Sequence, residues 1–279
     1  MNSICLDGKF LPANKPALAA DNRGYRYGDG VFETMKLVNG KIVLEKYHFE
    51  RLFAGIKLLK LPKPALLTAK KWRNEIITLS KKNKCEKLAR VRLSVSGGSG
   101  GLYDLPSKLQ YLIECWPADD TVNQVNKNGL VIDIFPDLQK NCDAFANLKS
   151  ANFLPYAMAA RFAKENKYND CLVMNTKGNI ADATIANIFL VKNKLVITPS
   201  LKEGCVNGVM RRFLIEKLQG SGFDIREGVV TKNDMDAFDE VFLTNAMTGI
   251  RWVKQFRNKI YRNDQTLAIY QQFIQPLYS

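Results

Sequence analysis

The sequence predicts a two-domain protein that mixes helices and strands, of the α+β or α/β class, and three observations carry that prediction. Residues 88–96, LARVRLSVS, alternate apolar and polar side chains, which is typical of a strand with one buried face. Other stretches, such as the one that begins at Asp264, space their apolar residues at helical intervals. Residues 117–123 are polar and turn-forming, so we expect a linker there. This predicts a smaller α/β domain of residues 1–116 and a larger domain of residues 124–279.

The first domain is expected to contain a sheet and two helices. Asp7-Gly8 is a dipeptide that favours a primed hairpin turn, and Asn39-Gly40 can make the same turn after a strand of residues 31–38. On that strand, the period of two places Phe32 and Thr34 on one face. The predicted elements are, in order, strands 4–6 and 9–11, strands 31–38 and 41–44, helices on either side of Pro62 and Pro64, and strands 88–96 and 109–115.

The second domain is expected to begin with a strand of residues 130–135. Small residues around Lys149 precede an apolar pattern at helical spacing, which places that lysine at a strand-to-helix junction. Residues 171–175 then form a strand, a glycine-containing turn follows, and the chain returns as a second extended segment that passes Asp182 and ends at residues 188–191. The remaining predicted elements are a helix after Gly208, a strand that ends at Leu243, and a closing amphipathic helix from Asp264.

Composition favours a folded protein in the cytosol. The chain has 279 residues, of which 46% are hydrophobic, enough to bury a sizeable core. No apolar run approaches the roughly 18 residues that span a bilayer. The first ten residues lack the apolar core of a signal peptide. We therefore expect a cytoplasmic protein without a membrane segment.

The cysteine and histidine content narrows the possible chemistry. Six cysteines are scattered without a CxxC pair, which argues against both a zinc site and a disulfide framework. His48 is the only histidine, so a multi-histidine metal site is impossible and a serine triad would have to use this residue as its base. No metal is expected, and lysine, carboxylate or cofactor chemistry is left.

A formal charge of +14 permits nucleic-acid binding as another class of function. Basic residues crowd the segment 57–92, but aromatic residues that could stack on bases are nearly absent there, Trp72 being alone. Such a run usually means a solvated helix face. We keep nucleic-acid binding only as a lesser alternative, since a basic surface would equally attract a small anionic substrate.

Three residues and one turn draw notice, although each has an ordinary interpretation when taken alone. Lys149 would be a solvated surface lysine, Arg51 a partner in a surface ion pair, and Asp182 a polar residue next to a turn. Gly208 opens a helix, whose amino-terminal N–H groups suit a phosphate but equally fit an ordinary helix start. His48 lies three residues before Arg51, so the two are neighbours on the first turn of a predicted helix.

Six motifs in a fixed order carry a resemblance that covers almost the whole chain. They are RGYRYGDGVFET, HFERL, LKSANFLP, GNIADATIANIF, GCVNGVMR and FLTNAMTGI. This set resembles the class IV aminotransferase family, the fold-type IV pyridoxal-phosphate enzymes, which includes branched-chain and D-amino-acid aminotransferases and aminodeoxychorismate lyases. The resemblance implies a two-domain fold of the D-amino-acid aminotransferase type with the active site between the domains, a homodimer, and pyridoxal 5'-phosphate as the cofactor.

The resemblance also implies roles for individual residues. Lys149 would hold the cofactor as a Schiff base and later move the substrate proton, because a neutral amine is both a nucleophile and a base. Arg51 would bind the phosphate as a fork, supported by His48. Asp182 stands where the family usually has a glutamate that pairs with the pyridine nitrogen. The phosphate would also receive the backbone amides of Val206, Asn207, Ala246 and Met247.

The reaction that the resemblance implies most strongly is that of the aminodeoxychorismate lyases, which convert 4-amino-4-deoxychorismate to 4-aminobenzoate and pyruvate in folate biosynthesis. The motifs GCVNGVMR and FLTNAMTGI and the SGGSGGLY loop are most similar to that group, and Thr34 would place a hydroxyl near the Schiff base. Gly97 stands where lyase-like sequences often carry an arginine. The main alternative is therefore a class IV aminotransferase acting on branched-chain or D-amino acids with 2-oxoglutarate. Phe32 and Phe153, which fall where some aminotransferases carry tyrosines, favour the lyase.

Overall fold

The structure is a computed structural model that describes residues 1–278, and its contacts group the chain into two compact units. The first unit contains residues 1–120 and the short segment Lys149–Phe153. The second contains residues 121–148 and the chain from Leu154 onward. The sequence interpretation assigned Lys149–Phe153 to the larger domain, whereas the structure attaches it to the first unit.

The first unit is built on one sheet of six strands. Its elements are β1 (Ser3–Leu6), β2 (Lys9–Pro12), α1 (Arg23–Tyr27), β3 (Gly30–Val38), β4 (Lys41–Ile42), α2 (Glu45–Leu58), α3 (Ala69–Lys82), β5 (Leu88–Ser96) and β6 (Gln110–Pro117). The strand order is β2-β1-β6-β5-β3-β4, and neighbouring strands are antiparallel. The hairpin at Asp7-Gly8 and the strand of residues 88–96 are confirmed, and β4 is shorter than predicted.

Backbone hydrogen bonds explain why Lys149–Phe153 belongs to the first unit. The N–H of Phe32 donates to the carbonyl oxygen of Lys149 at 2.9 Å, and the N–H of Ala151 donates to the carbonyl oxygen of Gly30 at 2.8 Å. Val31 and Ser150 form an antiparallel bridge between these two bonds. The segment therefore pairs with the beginning of β3, a tertiary contact that local sequence patterns do not predict.

Packing in the first unit follows the predicted periodicity. The alternate residues of β5, from Ala89 to Val95, are buried. Helices α2 and α3 are joined by aromatic stacking, with the Trp72 ring centred 6.2 Å from Phe49 and 5.4 Å from Phe53. Trp72 is fully buried, so the only aromatic residue in the basic run serves the core.

The second unit contains a mixed sheet of nine strands. Its elements are β7 (Leu130–Lys140), α4 (Leu154–Glu165), β8 (Asp170–Asn175), β9 (Ile180–Ala183), β10 (Asn187–Lys192), β11 (Leu195–Pro199), α5 (Val209–Leu218), β12 (Asp224–Gly228), α6 (Lys232–Ala237), β13 (Glu240–Asn245), β14 (Gly249–Phe256), β15 (Lys259–Ile260) and α7 (Asp264–Ile269). The main path is β12-β11-β10-β13-β14-β7-β8-β9, and β15 pairs with β14. A π turn, Tyr270–Ile274, and a 3-10 turn, Gln275–Tyr278, continue α7.

The segment that carries Asp182 differs from its prediction. A single extended segment was expected from the turn to Val191, but the structure has two strands, β9 and β10, separated by residues 184–186. Two hydrogen bonds fix the break, because the backbone N–H and the hydroxyl of Thr184 both donate to the same carboxylate oxygen of Asp170. The chain therefore turns between Asp182 and Asn187, and the side chains of these two residues meet.

The core of the second unit is apolar and contains residues of both β9 and β10. It includes Ile180, Ala183 and Ile188, which are buried together with residues of the neighbouring strands. Asp182 is thus a carboxylate set among buried apolar positions, which requires hydrogen-bond partners. No helix within residues 1–278 has the length and apolarity needed to cross a bilayer.

Candidate active site

Lys149 lies against two aromatic rings of the first unit. Its Nζ atom is 4.7 Å from the ring centre of Phe32 and 5.4 Å from that of Phe153. The two rings meet edge to face, with their centres 5.5 Å apart. Because backbone hydrogen bonds hold the segment on β3, the amine is placed by its main chain as well as by the rings. The structure therefore brings Lys149, Phe32 and Phe153 together.

Thr34 shares the face of β3 that carries Phe32. In the antiparallel pairing of β3 with β5, Thr34 lies opposite Arg92 and Phe32 lies opposite Ser94. The guanidinium carbon of Arg92 is 3.8 Å from the centre of the Phe32 ring. This face thus presents a hydroxyl, an aromatic ring and a guanidinium in neighbouring positions.

The opposite face of β3 carries Glu33, which binds two side chains from α2. Arg51 donates from Nε to Oε1 of Glu33 at 2.7 Å and from Nη2 to Oε2 at 2.5 Å. Nδ1 of His48 lies 2.6 Å from Oε2. Only 1% of the surface of Glu33 is exposed. The predicted neighbours His48 and Arg51 are therefore linked through a buried carboxylate, and we call these three residues the Glu33 cluster.

Electrostatics in the Glu33 cluster favour an ionised carboxylate and a neutral imidazole. Burial would raise the pKa of Glu33, but the positive charge and hydrogen bonds of Arg51 and the contact with His48 outweigh it and lower the pKa to about 2. Burial lowers the pKa of His48 despite the opposing effect of Glu33. A neutral imidazole that donates from Nδ1 leaves Nε2 as an acceptor. That Nε2 atom is buried and has no hydrogen-bond partner within residues 1–278.

Replacing Glu33 with glutamine is expected to lower the free energy of unfolding at pH 7 by about 3 kcal/mol, because the substitution leaves the charge of Arg51 without its buried anion. The folded-state pKa of about 2 lies below the ordinary value of 4.5. Glu33 therefore contributes stability above about pH 4.5 that is lost as the pH falls toward 2. Urea unfolding of the wild type and of Glu33→Gln across this pH range measures the difference between their free energies of unfolding. That difference should become smaller as the pH falls.

The matched control for this substitution is Glu45→Gln. Glu45 also accepts hydrogen bonds from an arginine, Arg73, but that side chain is 43% exposed. Removing a solvent-exposed pair should change the free energy of unfolding by less than about 1 kcal/mol. Equal losses in the two variants would contradict the stabilising role that we assign to the Glu33 cluster.

Asp182 is the centre of a second cluster, in the second unit. Its Oδ2 atom accepts hydrogen bonds from Lys140 Nζ at 3.1 Å, from the Tyr156 hydroxyl at 2.9 Å and from the Val206 N–H at 3.0 Å. Its Oδ1 atom accepts one from Asn187 Nδ2 at 2.9 Å. Burial and the neighbouring Asp182 raise the pKa of Tyr156 well above its usual range, so the phenol is a donor. One cation and three neutral donors thus hold a carboxylate that is only 2% exposed.

Asn187 and Gly208 fix the orientation of this carboxylate. Nδ2 of Asn187 donates both to Asp182 and to the carbonyl oxygen of Val206, the latter at 2.8 Å. A Cβ atom at Gly208 would lie only 1.9 Å from Oδ1 of Asn187. Gly208 is also the residue before α5, as predicted. Its lack of a side chain lets the asparagine approach, which is a second reason for glycine here besides the helix start.

Three of the four backbone amides predicted to bind a phosphate already donate within the second unit. The N–H of Val206 donates to Asp182 at 3.0 Å, that of Asn207 to the carbonyl oxygen of Asn147 at 3.0 Å, and that of Met247 to Oδ1 of Asn245 at 2.9 Å. An N–H group has one hydrogen to donate. A phosphate would have to share or displace these three bonds, a conflict that does not arise for the Ala246 amide among the described residues 1–278.

Sequence reasoning missed four residues of these clusters: Glu33, Lys140, Tyr156 and Asn187. Glu33 and Asn187 lie inside the quoted motifs and interrupt apolar strand residues, and a buried polar residue in a strand needs a partner. That interruption could have identified them. Lys140 at the end of β7 and Tyr156 on α4 carry no comparable signal, because their roles depend on packing between distant elements.

The comparisons with known proteins agree on one family. The model of the family described as amino-transferase class IV matches residues 30–256. The aminodeoxychorismate lyase of Bacillus subtilis is 29% identical over 258 residues, which cover 88% of this chain and 84% of that protein. The D-alanine aminotransferase of Bacillus licheniformis is 22% identical over 262 residues, which cover 88% of this chain and 86% of that protein.

A solved structure of similar fold is the branched-chain aminotransferase of Thermoproteus uzoniensis. It matches with a TM-score of 0.87 at 19% identity and covers 99% of this chain and 94% of that one. This likeness confirms the predicted fold type. Because the family model spans most of the sequence, the chain belongs to the amino-transferase class IV family of pyridoxal-phosphate-dependent enzymes.

Proposed function

We propose that this protein is a lyase that converts 4-amino-4-deoxychorismate to 4-aminobenzoate and pyruvate in folate biosynthesis. The observation that carries the proposal is that two aromatic rings lie beside the Lys149 amine. Its Nζ atom is 4.7 Å from the ring centre of Phe32 and 5.4 Å from that of Phe153. Two phenyl rings without hydroxyls offer an apolar wall to a six-membered substrate ring. The identity of 29% to the Bacillus subtilis lyase supports the same choice.

The donor set of the chain fits pyridoxal 5'-phosphate. We assign Lys149 to its aldehyde carbon, Arg51 and the Ala246 amide to its phosphate, and Asp182 to its pyridine nitrogen. The carboxylate of Asp182 supplies the anionic partner that a protonated pyridine requires. It already accepts hydrogen bonds from a cation and three neutral donors, so the pyridine would have to share or displace one of them. Nε2 of His48, which is buried and has no hydrogen-bond partner in the described part of the chain, is a further polar atom next to Arg51. When bound, the cofactor supplies an electron sink.

The residues of the chain have to move one proton. The amine of Lys149 removes a ring proton from the substrate carbon that bears the amino group. The ring then becomes aromatic as the C–O bond to the enolpyruvyl group breaks, and a proton added to that group gives pyruvate. Substrate and products contain the same atoms, so no oxidant or co-reactant is needed. We propose that the hydroxyl of Thr34, which lies on the same strand face as Phe32, donates a hydrogen bond toward the reacting amine.

An aminotransferase is the alternative that a specific feature favours. Gly97 provides no side-chain charge where lyase-like sequences often carry an arginine, and the D-alanine aminotransferase of Bacillus licheniformis is also a relative. In that reaction the amino group of a branched-chain or D-amino acid would pass to 2-oxoglutarate. Lys149, Arg51 and Asp182 would keep the same roles.

Two incubations of the purified holoenzyme distinguish these reactions. Incubation with 4-amino-4-deoxychorismate should release pyruvate and 4-aminobenzoate in equal amounts. Incubation with D- or L-amino acids plus 2-oxoglutarate should give little glutamate. Amino-group transfer without an aromatic product would refute the lyase and establish the alternative.

We also propose that the protein is a homodimer, which the resemblance implies, and that it is cytoplasmic, which its composition favours. Size-exclusion chromatography with light scattering measures the molar mass of the purified protein. A mass twice that of one chain would support the homodimer. Retention of the protein on immobilised nucleic acid that is abolished by salt would instead support the lesser alternative, because phosphate contacts are salt-dependent.

A further inference from the structure

Lys140 brings a positive charge to the buried carboxylate of Asp182. It is the last residue of β7, and its Nζ donates to Oδ2 of Asp182 at 3.1 Å. The lysine side chain is 13% exposed and the aspartate side chain 2%. The end of β7 therefore places a largely buried cation beside the residue that we assign to the pyridine nitrogen of the cofactor.

The sheet and one aromatic ring set the position of this ammonium group. β7 pairs in parallel with β8, and the register shifts before Gln139, so that Lys140 lies opposite Asn175. The N–H of Thr176 donates to the carbonyl oxygen of Lys140 at 3.0 Å. Nζ of Lys140 also lies 5.3 Å from the ring centre of Tyr156, whose neutral hydroxyl donates to the same Oδ2 atom. The ion pair with Asp182 is thus fixed from the main chain and from the side chain.

The other titratable groups around Asp182 leave its charge to Lys140. The Cys205 thiol lies near Asp182, and burial and the charge of that carboxylate raise its pKa to about 12, so the thiol is neutral at pH 7. Arg211, whose charge also acts on Cys205, is paired with Glu227. The ion pair of Asp182 is with Lys140, which therefore supplies the opposing charge.

The four donors to Asp182 differ in what they do to its charge. Tyr156, the Val206 N–H and Asn187 are neutral donors, so they orient the carboxylate and leave its negative charge in place. Lys140 carries a full positive charge at hydrogen-bond distance. A cation this close cancels much of the negative potential that the carboxylate exerts on a third group.

We infer that Lys140 makes the pyridine nitrogen of the cofactor hold its proton less tightly than Asp182 alone would make it. The inference rests on the proposed function, because it takes Asp182 as the partner of that nitrogen. An anion beside the nitrogen favours its protonated form, and a cation opposes it. A ring that is less protonated is a weaker electron sink. Lys140 is therefore a positioning residue that acts through Asp182 and limits the strength of the sink.

The test observes the pyridine nitrogen directly. The protein is loaded with pyridoxal 5'-phosphate that carries ¹⁵N in its ring, and the ¹⁵N chemical shift, which distinguishes a protonated from an unprotonated nitrogen, is recorded against pH. Lys140→Met removes the charge and should raise the pKa of this nitrogen by about 1, the lower end of the range that a neighbouring charge produces. Lys140→Arg restores the charge and should return the pKa toward the wild-type value. An equal pKa in the wild type and Lys140→Met would overturn the inference, as would Lys140→Arg titrating like Lys140→Met.

Lys177→Met is the matched control. Nζ of Lys177 also donates to a buried carboxylate of the second unit, with 3.4 Å to Oε1 of Glu203. This variant loses the same charge from the protein and should leave the pKa of the pyridine nitrogen at its wild-type value. The same rise in both methionine variants would overturn the inference, because it would reflect the net charge of the protein and not the ion pair with Asp182.

The wild type alone gives a second test, which does not depend on whether Lys140→Met folds. With Lys140 in place, the pyridine nitrogen should release its proton within the pH range in which the protein stays folded. A nitrogen that remains protonated over that whole range would overturn the inference.

The outcomes separate this inference from the proposed function. A protein that forms no 4-aminobenzoate from aminodeoxychorismate, yet whose pyridine nitrogen titrates at a higher pH in Lys140→Met, would refute the lyase and keep the inference. An active lyase whose pyridine nitrogen titrates alike in the wild type and Lys140→Met would refute the inference and keep the lyase.

Discussion

Lys149→Ala is expected to abolish the absorption band of the lysine-bound cofactor and to reduce kcat by a factor of about 10² to 10⁴, the range that a positioned acid–base group contributes. The amine of Lys149 is the nucleophilic group that lies against Phe32 and Phe153, and alanine has no atom that can replace it. Absorption spectra of the purified, cofactor-treated proteins and the two product assays measure these effects.

The fold of this variant should survive, so a loss of activity can be assigned to the amine. The segment is held by the carbonyl oxygen of Lys149 and the N–H of Ala151, and alanine keeps both backbone groups. Lys164→Ala is the control, because Lys164 is an exposed lysine near the end of α4. A band and a rate that persist in Lys149→Ala would refute the assignment of Lys149 in either reaction.

Local patterns predicted several elements of the first unit, because those elements depend on short-range periodicity. The alternation in residues 88–96 gives β5, and the glycine turn at Asp7-Gly8 gives the first hairpin. The spacing of His48 and Arg51 correctly makes them neighbours on α2. Nothing in that spacing indicates that both bind Glu33, since a strand of period two only places Glu33 on the face opposite Phe32.

Tertiary pairing decided the features that the sequence did not predict. The hydrogen bonds between Lys149–Phe153 and β3 join residues more than 100 positions apart, so a boundary drawn from composition could not include them. The resemblance assigns the amides of Val206 and Met247 to a phosphate, and that assignment stays a prediction. Their actual acceptors, Asp182 and Oδ1 of Asn245, depend on side-chain orientations that a motif does not specify.

The shortened carboxylate at position 182 fits its own partners. Lys140, Tyr156 and Val206 converge on one oxygen, and Asn187 holds the other. Asp182→Glu adds a methylene to a site with 2% exposure, so we expect a loss of about 1–3 kcal/mol in the free energy of unfolding and weaker cofactor binding. A glutamate variant that is as stable and binds the cofactor as tightly would show that the reach of the side chain is unimportant here.

Asp182→Asn should have a larger effect, a loss of about 3–5 kcal/mol in the free energy of unfolding together with the loss of cofactor binding. The new amide can offer one oxygen to Lys140, Tyr156 and Val206, but its NH₂ group then faces Nδ2 of Asn187. Asn187 cannot relieve this by turning over, because its Nδ2 also donates to the carbonyl oxygen of Val206. Lys140 would in addition lose the anion that balances its charge.

The control for the asparagine substitution is Asp133→Asn. Asp133 also accepts hydrogen bonds from a tyrosine and a basic side chain, Tyr168 at 3.2 Å and Arg257 at 3.0 Å, but Arg257 is 55% exposed. Water can replace these partners, so the expected loss is below about 1 kcal/mol. Urea unfolding gives the stabilities, and titration with pyridoxal phosphate gives the affinities. Equal free energies of unfolding and equal cofactor affinities in the two asparagine variants would show that the carboxylate of Asp182 has no special role. That result would also refute the assignment of the pyridine nitrogen to this residue.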